Sequence, residues 1–259
     1  MKHLFGNLFG FGTNSTPEDR TVFHITHYKA GSQWVYAVLA QIAPERIVTP
    51  EVAAGHYTKG GISKGKIYPC VYLTRKQFEA VKRPKRSRGF FVLRDLRDTL
   101  VSQYFSVKSS HKILNPQMQK TRDRLNAMNL SDGLTLMMNN NVYISANIQK
   151  SWLKSKWRRR KVLMIKYEDL ITDEYTAFNR IFDYCGFVKD DAVRRNAIEN
   201  HSFEKRTGRK PGEEDTGSHH RKGIAGDWKN YFDDRLKDAF KEQYARLLID
   251  TGYEKDDSW

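Results

Sequence analysis

The chain has 259 residues, 39% hydrophobic and 12% aromatic, which suits one large, well-buried α/β domain rather than a disordered protein. Its formal net charge of +15 favours an anionic ligand: nucleic acid, a membrane surface or a polyanionic small molecule. Cys70 and Cys185, far apart, form neither a disulfide framework nor a metal-ligand spacing and favour a reducing, cytoplasmic setting.

In chain order, residues 1–20 carry a short Leu/Phe/Gly stretch without a long apolar region or a small-residue cleavage site. They read as a flexible tail rather than a secretory signal. No run approaches the roughly 20 apolar residues of a membrane span, so no transmembrane segment is expected. Residues 21–259 show neither an internal repeat nor a dividing linker and read as a single domain.

TVFHIT, Thr21–Thr26, predicts the first strand. Ser32–Ile42 follows as a helix whose Trp34, Val35, Val38, Leu39 and Ile42 form one apolar stripe. A further strand is expected over 67–73, and GFFVL at 89–93 is a buried strand leading into a helix marked by Leu100, Val101, Tyr104 and Phe105. The stretch 123–157 reads as mainly helical. VLMIK, Val162–Lys166, is another strand, and the stripe Tyr175, Phe178, Ile181, Phe182 and Cys185 predicts a helix ended by Gly186. Leu236, Phe240, Tyr244, Leu247 and Leu248 mark a last amphipathic helix. The alternation predicts a three-layer α/β/α fold around a central parallel sheet. The segment 205–219 has no large apolar residue and several Gly and Pro breaks, and reads as a mobile loop that could close over a charged ligand.

Three segments carry chemistry. The first strand runs into His27, Tyr28, Lys29, Ala30, Gly31, Ser32, Gln33 and Trp34 as a helix begins, a ready phosphate cradle of amides and a close-approach glycine. The order differs from the Walker loop of kinases and NTPases, since the lysine precedes the glycine. After GFFVL, Arg94 sits at a strand end and Ser102 two turns into the next helix, so both can converge on one phosphate. Asp95 and Asp98 suit that helix's first turn, which leaves the second arginine, Arg97, without a local reason. Last, Arg221, Lys222 and Gly223 follow the 205–219 loop and could close onto the same anion.

HYKAGSQW resembles the 5′-phosphosulfate loop of sulfotransferases that use 3′-phosphoadenosine-5′-phosphosulfate (PAPS). VLRDLRDTLVS resembles their 3′-phosphate element, KYEDL their FYEDL segment, and RKGIAGDWKNYF the carboxy-terminal signature of the cytosolic branch. The matches come in the family's order from Phe23 to Phe232. The resemblance implies the P-loop-NTPase-like sulfotransferase fold, PAPS as donor and PAP as product, with no metal required. It implies that Lys29 neutralises the leaving phosphate, that Ala30, Gly31, Ser32 and Gln33 cradle the 5′-phosphate, and that Trp34 stacks near the adenine. Arg94, Ser102, Arg221, Lys222 and Gly223 would hold the 3′-phosphate, and Tyr167, Ser202 and Phe203 would line the adenine site. In-line transfer rests on positioning and charge stabilisation, with a general base to take the proton of an acceptor hydroxyl or amine.

The cytosolic branch carries that base as a histidine at the end of the strand before the 3′-phosphate element. Here 67–75 holds none, and Tyr72 falls about where one is expected. His56, between glycines, is ranked first for its chemistry. Glu51 is second, 22 positions after Lys29 as in heparan sulfate sulfotransferases, and His111 third. A small hydroxylated acceptor is favoured, with an acidic glycan or peptide as alternative. The rival readings are a P-loop kinase or NTPase and a sulfotransferase-like PAP or PAPS binder without transfer. The basic clusters 82–88 and 154–161 precede strands, so they belong at the sheet's amino edge, away from the donor. They read as a solvated face rather than a nucleic-acid surface.

Overall fold

The computed structural model describes residues 20–153, 161–187 and 189–259. The tail reading for 1–19 and most of the basic cluster 154–161 lie outside the described residues.

Among the described residues the sheet has four parallel strands in the order β2-β1-β3-β4. They are β1 (Thr21–Thr26), β2 (Ile67–Val71), β3 (Ser87–Leu93) and β4 (Val162–Lys166). β1 pairs with both β2 and β3, so the chain leaves it once to either side. Such a reversal opens a crevice beyond the strands' carboxyl ends, where ligands bind in open parallel sheets.

Alternating strand residues serve two faces, which is why strands buried on both sides read as unbroken apolar runs. Val22, Phe90 and Val92 pack on one face against α1 (Ser32–Ile42) and the later helix of Glu174–Cys185. Phe23, Ile25, Phe91 and Leu93 pack on the other face against Tyr57 of α2 (Gly55–Thr58), Phe78 of α3 (Arg75–Glu79) and Trp152. This is the expected three-layer arrangement.

Beyond the carboxyl edge lies a third, all-helical core. It joins α4 (Leu96–Phe105), α5 (Pro116–Ala127), α6 (Leu130–Met137) and α7 (Tyr143–Leu153) to the last helix, Asp234–Asp250. Local chemistry sets the ends of these helices. Thr74 and Gln77 form a reciprocal cap on α3, and the Asp95 side chain caps α4. Asn115 caps α5 ahead of Pro116. After β4 come α8 (Tyr167–Thr172), α9 (Glu174–Cys185), α10 (Asp191–Glu199), α11 (Phe203–Thr207) and α12 (Asp234–Asp250). Gly186 ends α9 at φ 78°, as its position predicts.

Candidate active site

The β1–α1 loop is shaped by two left-handed residues, Lys29 at φ 64° and Gly31 at φ 75°. A methyl group on Gly31 would sit 2.9 Å from the Tyr167 ring, so only glycine lets that ring close on the loop. Behind the loop His27 is fully buried. Its Nδ1–H donates to the Tyr28 carbonyl at 2.9 Å, while Nε2 accepts from the Arg94 amide at 3.0 Å and the Gln149 amide group at 2.9 Å. Burial pushes His27 down to about 4, so it stays a neutral bracket tying the ends of β1 and β3 together.

Arg94 stands at that junction. It donates to the Lys29 carbonyl at 3.0 Å and the Ile224 carbonyl at 3.3 Å, and lies 4.5 Å over the Tyr167 ring. Its Nε is buried with no partner among the described residues. The Trp34 indole N–H, in the first turn of α1, is likewise buried without a partner, and its ring meets Tyr167 edge-on at 6.5 Å. Orphaned buried donors cost roughly 1–3 kcal/mol each, a cost an anionic ligand's oxygens can remove at Arg94.

The third segment is clamped onto α4. Asp98 is buried and accepts from the Gly226 amide at 2.7 Å and the Trp228 amide at 2.9 Å, which fixes the loop that carries Arg221, Lys222 and Gly223. Asp227 binds both cations: Arg221 directly, and Lys222 at 2.8 Å. Burial pushes the Asp227 carboxyl up, but Lys222 and Arg221 hold it below the usual carboxylate range. Gly223, at φ 67°, lies so close to Phe203 that a methyl group would meet the ring at 2.6 Å. Ser202 caps α11 through the Lys205 amide and thereby sets Phe203.

Lys29, Gly31, Trp34, Arg94, Tyr167, Phe203, Arg221, Lys222 and Gly223 thus form a continuous chain of neighbours. Ala30 is buried in the core, Gln33 is exposed and Ser102 is half-buried. Among the described residues no three His, Cys, Asp or Glu side chains gather as a metal site.

The base candidates lie differently. His56 has both ring nitrogens engaged: Nδ1 accepts from the Glu51 amide at 3.1 Å and Nε2 donates to the Pro69 carbonyl at 2.6 Å. No lone pair is left to take a proton, so this geometry runs against its first rank and makes it a bracket between the 51–56 segment and β2. Glu51 is exposed at the start of that segment. His111 donates from Nδ1 to the Lys112 carbonyl at 2.8 Å, which leaves the lone pair on Nε2.

Sequence reasoning passed over His219 and His220. Burial, then the charges of Lys29, His111 and Arg206, push His219 down to about 4. The loop before them carries its own set of hydrogen bonds. Arg209 donates to the Glu213 carbonyl at 2.6 Å and the Arg221 carbonyl at 2.8 Å, and the Gly212 amide reaches the Lys222 carbonyl at 2.8 Å. Two histidines just before Arg221 and Lys222 were the available signal.

These features define an α/β protein whose cationic, glycine-containing loops meet at the carboxyl end of a parallel sheet. The model of the sulfotransferase domain matches residues 19–252, and the chain belongs to the sulfotransferase family. It is 22% identical to human sulfotransferase 1C2 over 91% of this chain and 84% of the relative. It is also 22% identical to the 3-alpha-hydroxysteroid sulfotransferase of Cavia porcellus, over 91% and 85%. Among solved structures, mouse sulfotransferase SULT7A1 complexed with PAP superposes with a TM-score of 0.65 at 19% identity, over 91% of this chain and 87% of that one. Retinol dehydratase in a complex with retinol and PAP gives 0.58 at 17%, over 90% and 82%. The fold is therefore the P-loop-like α/β fold of those enzymes, and the chain is a PAPS-dependent sulfotransferase.

Proposed function

We propose that residues 21–259 act as one domain that moves the sulfuryl group of PAPS onto a hydroxyl of a small acceptor, releasing PAP without a metal. The observation that carries the donor assignment is the Arg94 corner. A buried guanidinium with an unpartnered Nε stands beside the Lys29 loop, over Tyr167 and under Ile224. Such a group suits a phosphate oxygen. In this reading Arg94, Ser102, Arg221, Lys222 and Gly223 hold the 3′-phosphate. Ala30, Gly31, Ser32 and Gln33 line the 5′-phosphate, and Trp34, Tyr167, Ser202 and Phe203 surround the adenine. Lys29 neutralises charge on the departing phosphate. His111 and Glu51 stay as acceptor-side candidates for the base, and His56 drops behind both.

Two of the similar solved proteins hold PAP, one of them with retinol, and a curated relative is a hydroxysteroid enzyme. These names support a small hydroxylated acceptor. Two free, buried cysteines suit a cytoplasmic setting. The test is transfer of labelled sulfate from PAPS across a panel of small alcohols, phenols, amines, acidic glycans and peptides. Label on small hydroxylated molecules, lost in Lys29→Ala, is expected. Label only on glycans or peptides overturns the acceptor class, and near-normal transfer by Lys29→Ala overturns the role of that lysine.

A further inference from the structure

We propose that Tyr72 and Ser32 form a hydroxyl relay that carries the acceptor's proton away during transfer, in place of a histidine on β2. The proposal rests on the donor reading above. Tyr72 lies one residue beyond β2, at the sheet edge where the crevice opens. Its hydroxyl is 2.6 Å from the Ser32 Oγ, the first side chain of α1 and part of the 5′-phosphate loop.

The backbone is bent to make this contact. Cys70 is held in the left-handed region at φ 55°, costly for a residue with a β-carbon, and the β1–β2 register breaks between Phe23 and Ile25. The Cys70 thiol then donates to the Ser32 carbonyl at 3.5 Å and accepts from the Gln33 side chain at 3.8 Å, tying the end of β2 to the start of α1. Tyr28, from the loop itself, stacks on the Tyr72 ring at 4.9 Å and 13° and is 42% exposed. One side of the pair therefore faces solvent at the crevice mouth, and the other touches the phosphate loop.

Burial, with Cys70 beside it, pushes the phenol of Tyr72 up, so it remains protonated. A protonated phenol is a poor base alone, but it can receive one proton while passing on its own. As the acceptor oxygen bonds to sulfur and the bond from sulfur to the 5′-phosphate oxygen breaks with its electron pair, the acceptor proton moves to Tyr72 Oη. Tyr72 passes its proton to Ser32 Oγ, and Ser32 passes one to an oxygen of the departing phosphate. Neither residue is left charged, which suits a buried site where an ionised base would be costly.

Tyr72→Phe keeps the ring and its stacking on Tyr28 and removes only the hydroxyl. Turnover should fall by roughly 10²–10⁴-fold, while PAP affinity changes by less than about threefold. Ser32→Ala should lower turnover as well. A readout independent of activity is the ring Cζ carbon resonance of Tyr72, assigned with the Phe variant. It should move when PAP is added to the wild-type protein and stay put in Ser32→Ala. Near-normal turnover in Tyr72→Phe overturns the relay and passes the role to His111 or Glu51, whichever variant is then dead. Equal losses of turnover and PAP affinity also overturn it, since Tyr72 would then only prop the loop. A wild-type protein whose melting PAP does not move overturns the donor reading, and the relay with it.

Discussion

Burial, together with the positive charges of Arg94 and Arg221, pushes Lys29 down to about 8. Its folded value lies below the ordinary 10.5, so the unbound fold gains stability from this group as pH rises from about 8 to 10.5. Donor phosphates reverse the balance by bringing negative charge to a lysine crowded by arginines. The bound protein should keep the Lys29 proton to higher pH than the free protein. PAP affinity is then insensitive to Lys29 below pH 8 and falls by up to about tenfold per unit above it, with one proton taken up on binding. His219 and His220 are both pushed down to about 4, by burial and by neighbouring cations including Lys29, and stay neutral throughout that window. Calorimetry of PAP binding between pH 7 and 10, in buffers of different ionisation enthalpy, checks this. A flat affinity across that range in the wild-type protein, or a pH dependence that persists in Lys29→Ala, would place the proton elsewhere.

At the scale of elements, the second arginine of RDLRD finds its reason. Arg97 is 2% exposed and lies in the corner of two indoles that meet edge-on, 4.0 Å from the Trp228 ring centre and 4.3 Å from that of Trp259. It also pairs with Asp95 at 2.7 Å and Glu254 at 2.6 Å. Tyr253 adds a bond to Glu168 at 2.6 Å, and Glu168 in turn accepts from the Asp95 amide at 3.1 Å. The 253–259 segment thus braces the first turn of α4 and, through Trp228 and Asp98, the loop that carries Arg221 and Lys222. Trp259→Ala should cost about 1–2 kcal/mol of stability, the size of a desolvated cation–π contact. It should also weaken PAP binding more than AMP binding, because the braced loop carries Arg221 and Lys222, the cations proposed for the 3′-phosphate. Arg97→Lys keeps the charge but loses the planar stack and fork, and should behave alike. Denaturant unfolding and nucleotide titrations read both effects, and equal losses for PAP and AMP would reduce the brace to general stability.

For the whole molecule, the strands and the longer helices were legible because burial on two faces, or on one stripe, leaves a periodic mark in the sequence. The three segments proposed for the donor stood out because two start where a strand ends and the third sets two adjacent cations and a glycine after a polar loop. What joins them did not. Asp98 reaches Gly226 and Trp228 from 128 and 130 positions away, and such partners are chosen by tertiary packing, not by local pattern. His56 ranked first as a base because an imidazole suits proton abstraction near neutral pH, yet a distant carbonyl and a nearby amide consume both nitrogens. The 205–219 segment reads as a mobile loop because it lacks large apolar residues, and the bonds from Arg209 to the Glu213, His220 and Arg221 carbonyls leave no signal in composition.

The central claim is that Arg94, Ser102, Arg221, Lys222 and Gly223 exist to hold a 3′-phosphate. Thermal melting in magnesium-free buffer tests it most directly, with PAP and AMP compared at equal concentration. The two nucleotides differ by that one phosphate, and charge-assisted contacts to it are worth roughly 1.5–3 kcal/mol each. PAP should raise the melting temperature clearly and AMP much less, with the difference shrinking in Arg94→Ala. Equal shifts with both nucleotides would contradict the assignment.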